Sequence, residues 1–230
     1  RIAARSGKPV LVEKPVATSS ERLAEFSTQS PSNIIVAYNR RHYNTVQKAQ
    51  EFVTNKINLR ATMTLPENVS TEFRNPYFLV HENSVHGFDM LCFIFGKVSV
   101  EHVETASTNN PYFGRLAILK SSAGHLINLI MNWKAPANFS LSLDDAKHRL
   151  DLVPFEKFQL YDGMKVIEPS DIYPVRQYVP HQVDSGTVFD NMPAQIKPGF
   201  LGQALEFSNL IDGKLPTIGA NMTDAYNAQV

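Results

Sequence analysis

Gly7-Lys8-Pro9-Val10-Leu11-Val12-Glu13-Lys14-Pro15 is the stretch on which the fold turns. Its centre, Val10–Val12, is a short unbroken apolar run bounded by Gly7 and Pro15, and Ile34-Ile35-Val36-Ala37-Tyr38 is a second of the same kind. Unbroken rather than alternating runs suit strands buried on both faces, as in the middle of a parallel sheet. Between them Thr18-Ser19-Ser20-Glu21 has capping-box spacing, and Leu23, Ala24 and Phe26 follow on one face, which predicts a helix of about ten residues. Strand, helix and strand make a βαβ unit. Upstream, Ile2–Ser6 with Gly7 behind them read as the end of an earlier helix, so the chain is expected to begin inside a structural element.

Downstream the pattern changes. Asn44, with Gln47 three residues on, predicts the N-cap of a helix whose apolar face is Val46, Ala49, Phe52 and Val53. From about Ile57 the period is two: Leu116/Ile118, Leu126/Asn128 within His125–Trp133, Leu150/Leu152 and Phe158/Leu160, with Ser121–Gly124 and Asp162-Gly163 as turn signals. This predicts an antiparallel sheet with one wetter face. A helix from about Glu82 to Phe95, stopped by Gly96, interrupts it. Phe200, Leu201, Ala204, Leu205, Phe207, Leu210 and Ile211 predict an amphipathic helix ended by Gly213, and a last helix is expected from about Thr223. The Pro-rich, polar segment Ile167–Pro198 reads as a long irregular connection, and no internal repeat is present.

Composition narrows the function classes. Lys plus Arg and Asp plus Glu balance at 22 each in 230 residues, so no net field draws nucleic acid or an anionic membrane. With 43% hydrophobic and 19% charged residues the chain is not of the disordered class. No apolar run reaches the ~18–20 residues of a membrane helix, and no signal-peptide core opens the sequence. The expectation is a soluble, cytoplasmic protein with neither nucleic acid nor membrane as partner. One cysteine, Cys92, excludes an internal disulfide framework and a Cys-based zinc site, and its place on an apolar helix face reads as an inert thiol. No G-x-S-x-G, GK[ST] or G-x-G-x-x-G is present; the nearest glycine pair is Gly199 and Gly202. The sequons at Asn68, Asn138 and Asn221 read as chance matches.

Two places carry chemistry. Ligands of open parallel sheets gather outside the carboxyl ends of the strands, and Glu13-Lys14-Pro15 and Asn39-Arg40-Arg41 follow the two apolar runs there. A strand leaving the core with solvated charges accounts for either alone; two side by side are a stronger signal. On the helix from 82 to 95, a step of about 100° per residue puts Glu82, His86 and Asp89 at about 0°, 40° and −20°, opposite the apolar residues. A histidine between two acids suits a general base. Glu and His at i, i+4 also suit a metal, and a solvated face with one ordinary histidine is the plain alternative.

Together, Gly7–Pro15, Val36-Ala37-Tyr38-Asn39-Arg40-Arg41, Val85-His86-Gly87-Phe88-Asp89 running to Phe95-Gly96, and Gly199-Phe200-Leu201-x-Gln203 resemble the Gfo/Idh/MocA family of NAD(P)-dependent oxidoreductases over essentially the whole chain. The resemblance implies an α+β fold: a large, mostly antiparallel open sheet with helices on one face, preceded by the α-β-α-β tail of a Rossmann domain. It divides the chain into residues 1–38, the end of a dinucleotide-binding domain, and 39–230, a substrate-binding and oligomerisation domain whose open sheet faces a second subunit. The upstream half with the glycine fingerprint that receives the pyrophosphate is absent, so the chain alone is expected to be inactive. By the same resemblance Lys14 orients the reacting hydroxyl, and Glu13, Lys14 and Pro15, the last through a cis peptide, form the wall against NAD or NADP. His86 is the general acid or base, Glu82 stands where the family commonly has Asp, and Glu82, Asn39 and Arg40 meet the substrate. Asp89 orients the helix. The reaction implied is hydride transfer between the cofactor and a carbinol of a sugar, sugar nucleotide or polyol in a homo-oligomer, with no metal. A non-catalytic sensor of nucleotides or sugars with the same fold, and a metal enzyme built on Glu82, His86 and Asp89, stay as alternatives.

Overall fold

The computed structural model describes residues 6–17, 19–27, 32–66, 83–105, 114–132, 135–190, 193 and 195–229. Its first unit is β1 (Val10–Val12), α1 (Ser20–Ser27) and β2 (Ile34–Val36), and the two strands pair in parallel with Val12 opposite Val36. The βαβ reading holds, with two corrections. The helix has eight residues, and the Arg22 N–H donates to Ser19 Oγ at 3.4 Å, so the capping position falls one residue after Thr18, itself outside the described residues. Leu11 is 37% exposed. β1 is therefore not buried on both faces: Val10 and Val12 pack against the cluster that contains Leu23, and Leu11 between them points away from it. The end of an earlier helix expected at Ile2–Ser6 also lies mostly outside the described residues.

A 3₁₀ turn, Asn39–His42, leads into α2 (Asn44–Val53), then β3 (Arg60–Thr64) and α3 (Ser84–Phe95). Tyr43 rather than Asn44 is the N-cap of α2; the Asn44 amide instead donates to the Thr187 carbonyl at 2.9 Å. Then come β4 (Val98–Thr105), β5 (Arg115–Ser121), β6 (Leu126–Met131), β7 (Ser140–Asp144), β8 (His148–Leu152), β9 (Lys157–Ile167), β10 (Gln177–Thr187), α4 (Phe200–Ile211) and α5 (Met222–Asn227). β3 to β10 form one eight-stranded sheet in the order β10-β9-β8-β7-β3-β6-β5-β4, antiparallel except where β3 runs parallel to β6.

Alternation places Ala61, Met63, Ile127, Leu129, Leu141, Leu143, Leu150 and Leu152 on one face, each at most 5% exposed. Val46, Ala49 and Val53 of α2 and Met90, Leu91 and Ile94 of α3 cover them. Fully burying each of the Val, Leu, Ile and Met side chains among them stabilises by ~1.5–3 kcal/mol. Three sequence expectations fail here. In β5 and β6 it is Ala117, Leu119, Ile127 and Leu129 that point inward, while Leu116 and Leu126 stand 44% and 47% exposed on the outer face. Asp162-Gly163 is not a turn: Gly163, at φ 65°, sits in a bulge inside β9 and its N–H donates to the Lys147 carbonyl. The segment read as irregular contains β10, an edge strand, which is where a proline such as Pro180 is tolerated.

A second, smaller core joins both ends of the chain. Leu23, Ile34, Val36 and Tyr38 pack with Val85 of α3 and with Ala220, Met222 and Ala225. The Val36 N–H donates to the Ala220 carbonyl at 2.8 Å, so the chain returns to the edge of β2 before entering α5. Asn221, part of a sequon by sequence, is the N-cap of α5, accepting from the Asp224 N–H while the Asp224 carboxylate accepts from the Asn221 N–H. No helix among the described residues is long and apolar enough to cross a membrane.

Candidate active site

The site forms where β1 and β2 end side by side. Lys14, half-buried, follows β1, and its peptide with Pro15 is cis; Glu13 beside it points to solvent. After β2, the Tyr38 carbonyl accepts from the Arg41 N–H at 3.2 Å and starts the 3₁₀ turn that carries Asn39, Arg40 and Arg41. Tyr38 is 1% exposed and meets the edge of the His86 ring, with centroids 6.0 Å apart and planes at 74°. α3 thus delivers His86 to the strand ends, where it is 7% exposed.

Burial, then the positive charges of Arg40 and Lys14, push the His86 imidazole down to about 3, so it is neutral at pH 7. Its Nδ1 is buried and has no hydrogen-bond partner among the described residues, an open position for a ligand atom. The Arg40 guanidinium lies over the Phe139 ring, 4.0 Å from its centroid. The Asn39 amide donates to the Pro198 carbonyl at 3.2 Å.

Lys14 and Arg40 thus stand where their charges act on His86, and the neighbouring charges are treated differently. Arg41 and Asp89 are consumed by each other: Nη2 lies 2.6 Å from Oδ1, and Asp89 is fully buried. Burial pushes the Asp89 carboxyl up to about 6 and Arg41 opposes the rise, which leaves it ionised at neutral pH. His86 and Asp89, one stripe on the helical wheel, thus serve different neighbours, and Asp89 is not available to share a metal with His86. Glu82 and Trp133 lie outside the described residues. No group of three metal-ligating side chains occurs among the described residues. Burial also pushes the Cys92 thiol up to about 11, in keeping with an inert thiol.

Sequence reasoning missed the platform beneath the site. A Cβ on Gly199, at φ 80°, would fall 2.1 Å from the Asn39 carbonyl oxygen, and one on Gly202 would fall 2.8 Å from His42 Cβ. The two glycines let α4 dock directly on the 3₁₀ turn. Their close spacing was the available signal, but it reads equally as a loop. α4 also departs from its sequence pattern: Gln203 and Glu206 are buried, whereas Leu205 and Ile211 are 58% and 59% exposed. Glu206 is held inside because it accepts from the backbone N–H groups of Thr217, Ile218 and Gly219.

For a nicotinamide cofactor the fit is partial. Lys14 and Pro15 at the end of a parallel strand, beside an imidazole with an orphaned nitrogen, suit the reactive ring. No glycine-rich turn that would cradle a pyrophosphate occurs among the described residues.

A comparison with family models gives no match, and a sequence comparison with curated proteins gives none. Solved structures do match. An oxidoreductase from Thermotoga maritima superimposes with a TM-score of 0.67 at 16% identity, covering 99% of this chain and 68% of that one. An oxidoreductase from Agrobacterium radiobacter, in complex with NAD+, L-tartaric acid and magnesium, gives 0.68 at 12% identity, with 99% and 70% covered. A levoglucosan dehydrogenase in complex with NADH and levoglucosan gives 0.70 at 15% identity, again over 99% and 70%. The chain has the fold of these oxidoreductases along its whole length.

Proposed function

We propose that this chain is the greater part of a Gfo/Idh/MocA-type oxidoreductase that moves a hydride between a nicotinamide cofactor and a carbinol carbon of a sugar-like substrate. The observation that supports the reading is that Lys14 follows one of two paired parallel strands while α3 sets the buried His86 against Tyr38 at the end of the other. The shared fold with dehydrogenases crystallised with NADH or NAD+ supports it.

In this reading the cofactor, when bound, accepts or supplies the hydride. Lys14 holds the carbinol oxygen and His86 takes or returns the hydroxyl proton, the two groups aligning the reacting atoms and managing the proton. Glu13 and Pro15 shape the wall beside Lys14, and Asn39, Arg40 and Glu82 meet the substrate. Residues 1–38 act as the tail of a dinucleotide-binding domain, and 39–230 form the substrate and oligomer domain with α5 folding back on the first part. Exposed Leu116 and Leu126 on the outer face of the sheet support association with a second copy there.

The test is steady-state kinetics on the full-length protein with NAD+ and NADP+ and a panel of sugars and polyols. Lys14→Ala and His86→Ala each cut turnover by about 10²-fold or more while nucleotide affinity stays close to normal. Near-normal turnover in both variants defeats the reading, and nucleotide binding with no turnover on any substrate favours a sensor of the same fold.

A further inference from the structure

We propose that residues 164–180, an arm formed by the far ends of β9 and β10, are an interaction surface for a second copy of this chain. The inference goes beyond the catalytic reading and assigns association to an element separate from Leu116 and Leu126. β9 pairs with β8 only as far as Asp162, and the Gly163 N–H still donates to the Lys147 carbonyl. Beyond that point, among the described residues, Met164–Ile167 pair with Gln177–Pro180 alone, and every residue from 163 to 176 except Ile167 is exposed. The arm is nonetheless a closed hairpin. Arg176 Nη2 lies 2.9 Å from Glu168 Oε2 across its neck, and at its tip the Ser170 N–H donates to the Tyr173 carbonyl at 2.8 Å. Residues directly opposite in an antiparallel pair share a face. Met164 with Pro180 and Val166 with Tyr178 therefore make one apolar side, two residues along β10 from Gln182, which pairs with Tyr161 and accepts from the Gln159 amide on the outer side of the sheet.

A two-stranded ribbon standing free in water has little to hold it together. Met164, Val166 and Tyr178, with Ile172, Tyr173 and Val175 at the tip, are each between 46% and 80% exposed. At on the order of 100 Å² apiece they present roughly 600 Å², the upper end of what a monomer leaves bare and most of the ~800 Å² per partner of a stable interface. Three features choose the occupant. The charges of the arm cancel, Lys165 and Arg176 against Glu168 and Asp171, so no field selects a polyanion or a basic protein. Pro180 and the two register shifts that follow it break up the free edge of β10, which blocks strand addition and leaves the side-chain face as the contact. At its other end the Thr187 carbonyl accepts from Asn44 beside the 3₁₀ turn. Ten residues of strand put the arm about 30 Å from there, away from β1 and β2 and from any strand added beside them. A second copy supplies an equal, neutral, apolar face in a two-fold, self-complementary contact.

Sedimentation velocity of the full-length protein over a concentration series tests this. The unmodified protein associates, and the double variant Val166→Lys/Tyr178→Lys, made at exposed positions, raises the dissociation constant about tenfold or more while its circular dichroism is unchanged. Hydrogen exchange supplies a reading that needs no variant: the amides of residues 164–180 exchange more slowly as concentration rises through the association range. A monomeric protein, a double variant that associates as tightly as the unmodified one, or exchange in the arm that ignores concentration overturns the proposal. Leu126→Lys separates the two surfaces. Dissociation by Leu126→Lys while the arm variant still associates overturns the arm and keeps the outer-sheet contact. The converse result upholds the arm and removes that contact, and dissociation by both upholds both. Turnover enters none of these readings, so the hydride-transfer reading stands or falls separately.

Discussion

Arg41 closes on Asp89 through three contacts, Nε 3.0 Å from both carboxylate oxygens and Nη2 2.6 Å from Oδ1. The pair ties the turn after β2 to the second turn of α3 and so holds His86, three residues before Asp89, against Tyr38. Arg41 also reaches Asp224 of α5 at 3.3 Å, on the rim, where the Asp224 side chain is 31% exposed.

Breaking the buried pair from one side leaves an uncompensated charge in the interior. Arg41→Met or Asp89→Asn therefore lowers unfolding free energy by ~3–5 kcal/mol. Asp224→Asn, which weakens a half-exposed contact and a capping box, costs ~1–2 kcal/mol. Urea denaturation checks the order, and an Asp224 variant as damaged as the Asp89 variant would contradict it.

Gly87 follows His86 in α3 and packs against Leu65. A Cβ there would fall 2.2 Å from Leu65 Cδ2, and Leu65 is fully buried. Gly87→Ala thus overpacks the helix seat and costs ~1–3 kcal/mol, and His86 moves with the helix. Adding Leu65→Val to Gly87→Ala recovers part of the loss. Thermal unfolding of the single and double variants tests this, and a double variant no better than the single refutes the steric account.

His86 makes stability depend on pH in a defined direction. Its folded-state value, about 3, lies below the ordinary 6.5, so the unfolded chain binds the extra proton first. The stabilisation is complete above about 6.5 and is lost progressively as pH falls from there toward about 3. His86→Gln flattens the stability profile in that window without changing its slope above pH 7. An unchanged slope between pH 6 and 4 in the variant would show that another group is responsible.

Asp145 accounts for a lower window. It accepts from the Lys56 ammonium at 2.5 Å and from the His148 backbone N–H at 2.7 Å. Although burial opposes them, these bonds hold its carboxyl well below the ordinary carboxylate range. Its contribution is full above about pH 4 and falls away as pH drops below that. Asp145→Asn removes this limb and leaves the His86 limb in place, which acid titration of the two variants followed by circular dichroism resolves.

Much of this was legible in the residues. Unbroken runs at Val10–Val12 and Ile34–Val36 placed two parallel strands, and their following charges placed Lys14 and Arg40 at one end of them. Gly96 and Gly213 closed their helices as expected, at φ 73° and 79°. The outer and inner faces of β5 and β6 were not legible, because Leu116-Ala117-Ile118-Leu119 and Leu126-Ile127 are apolar at successive positions. A period-two reading of such a run has no preferred phase, and one step exchanges the faces. α4 was misread for a related reason: Glu206 is inside only because a distant loop offers it three backbone donors.

By itself, the sequence determined the local conformations, the strand ends that carry Lys14 and Arg40, and the helix that carries His86. Those depend on interactions within a few residues. Only the tertiary structure decided that Asp89 belongs to Arg41 and not to His86, that Phe139 lies under Arg40, and that Ala220 returns to Val36. Such partners are set by which side chains burial brings together, and a buried charge keeps whichever opposite charge the packing puts within reach.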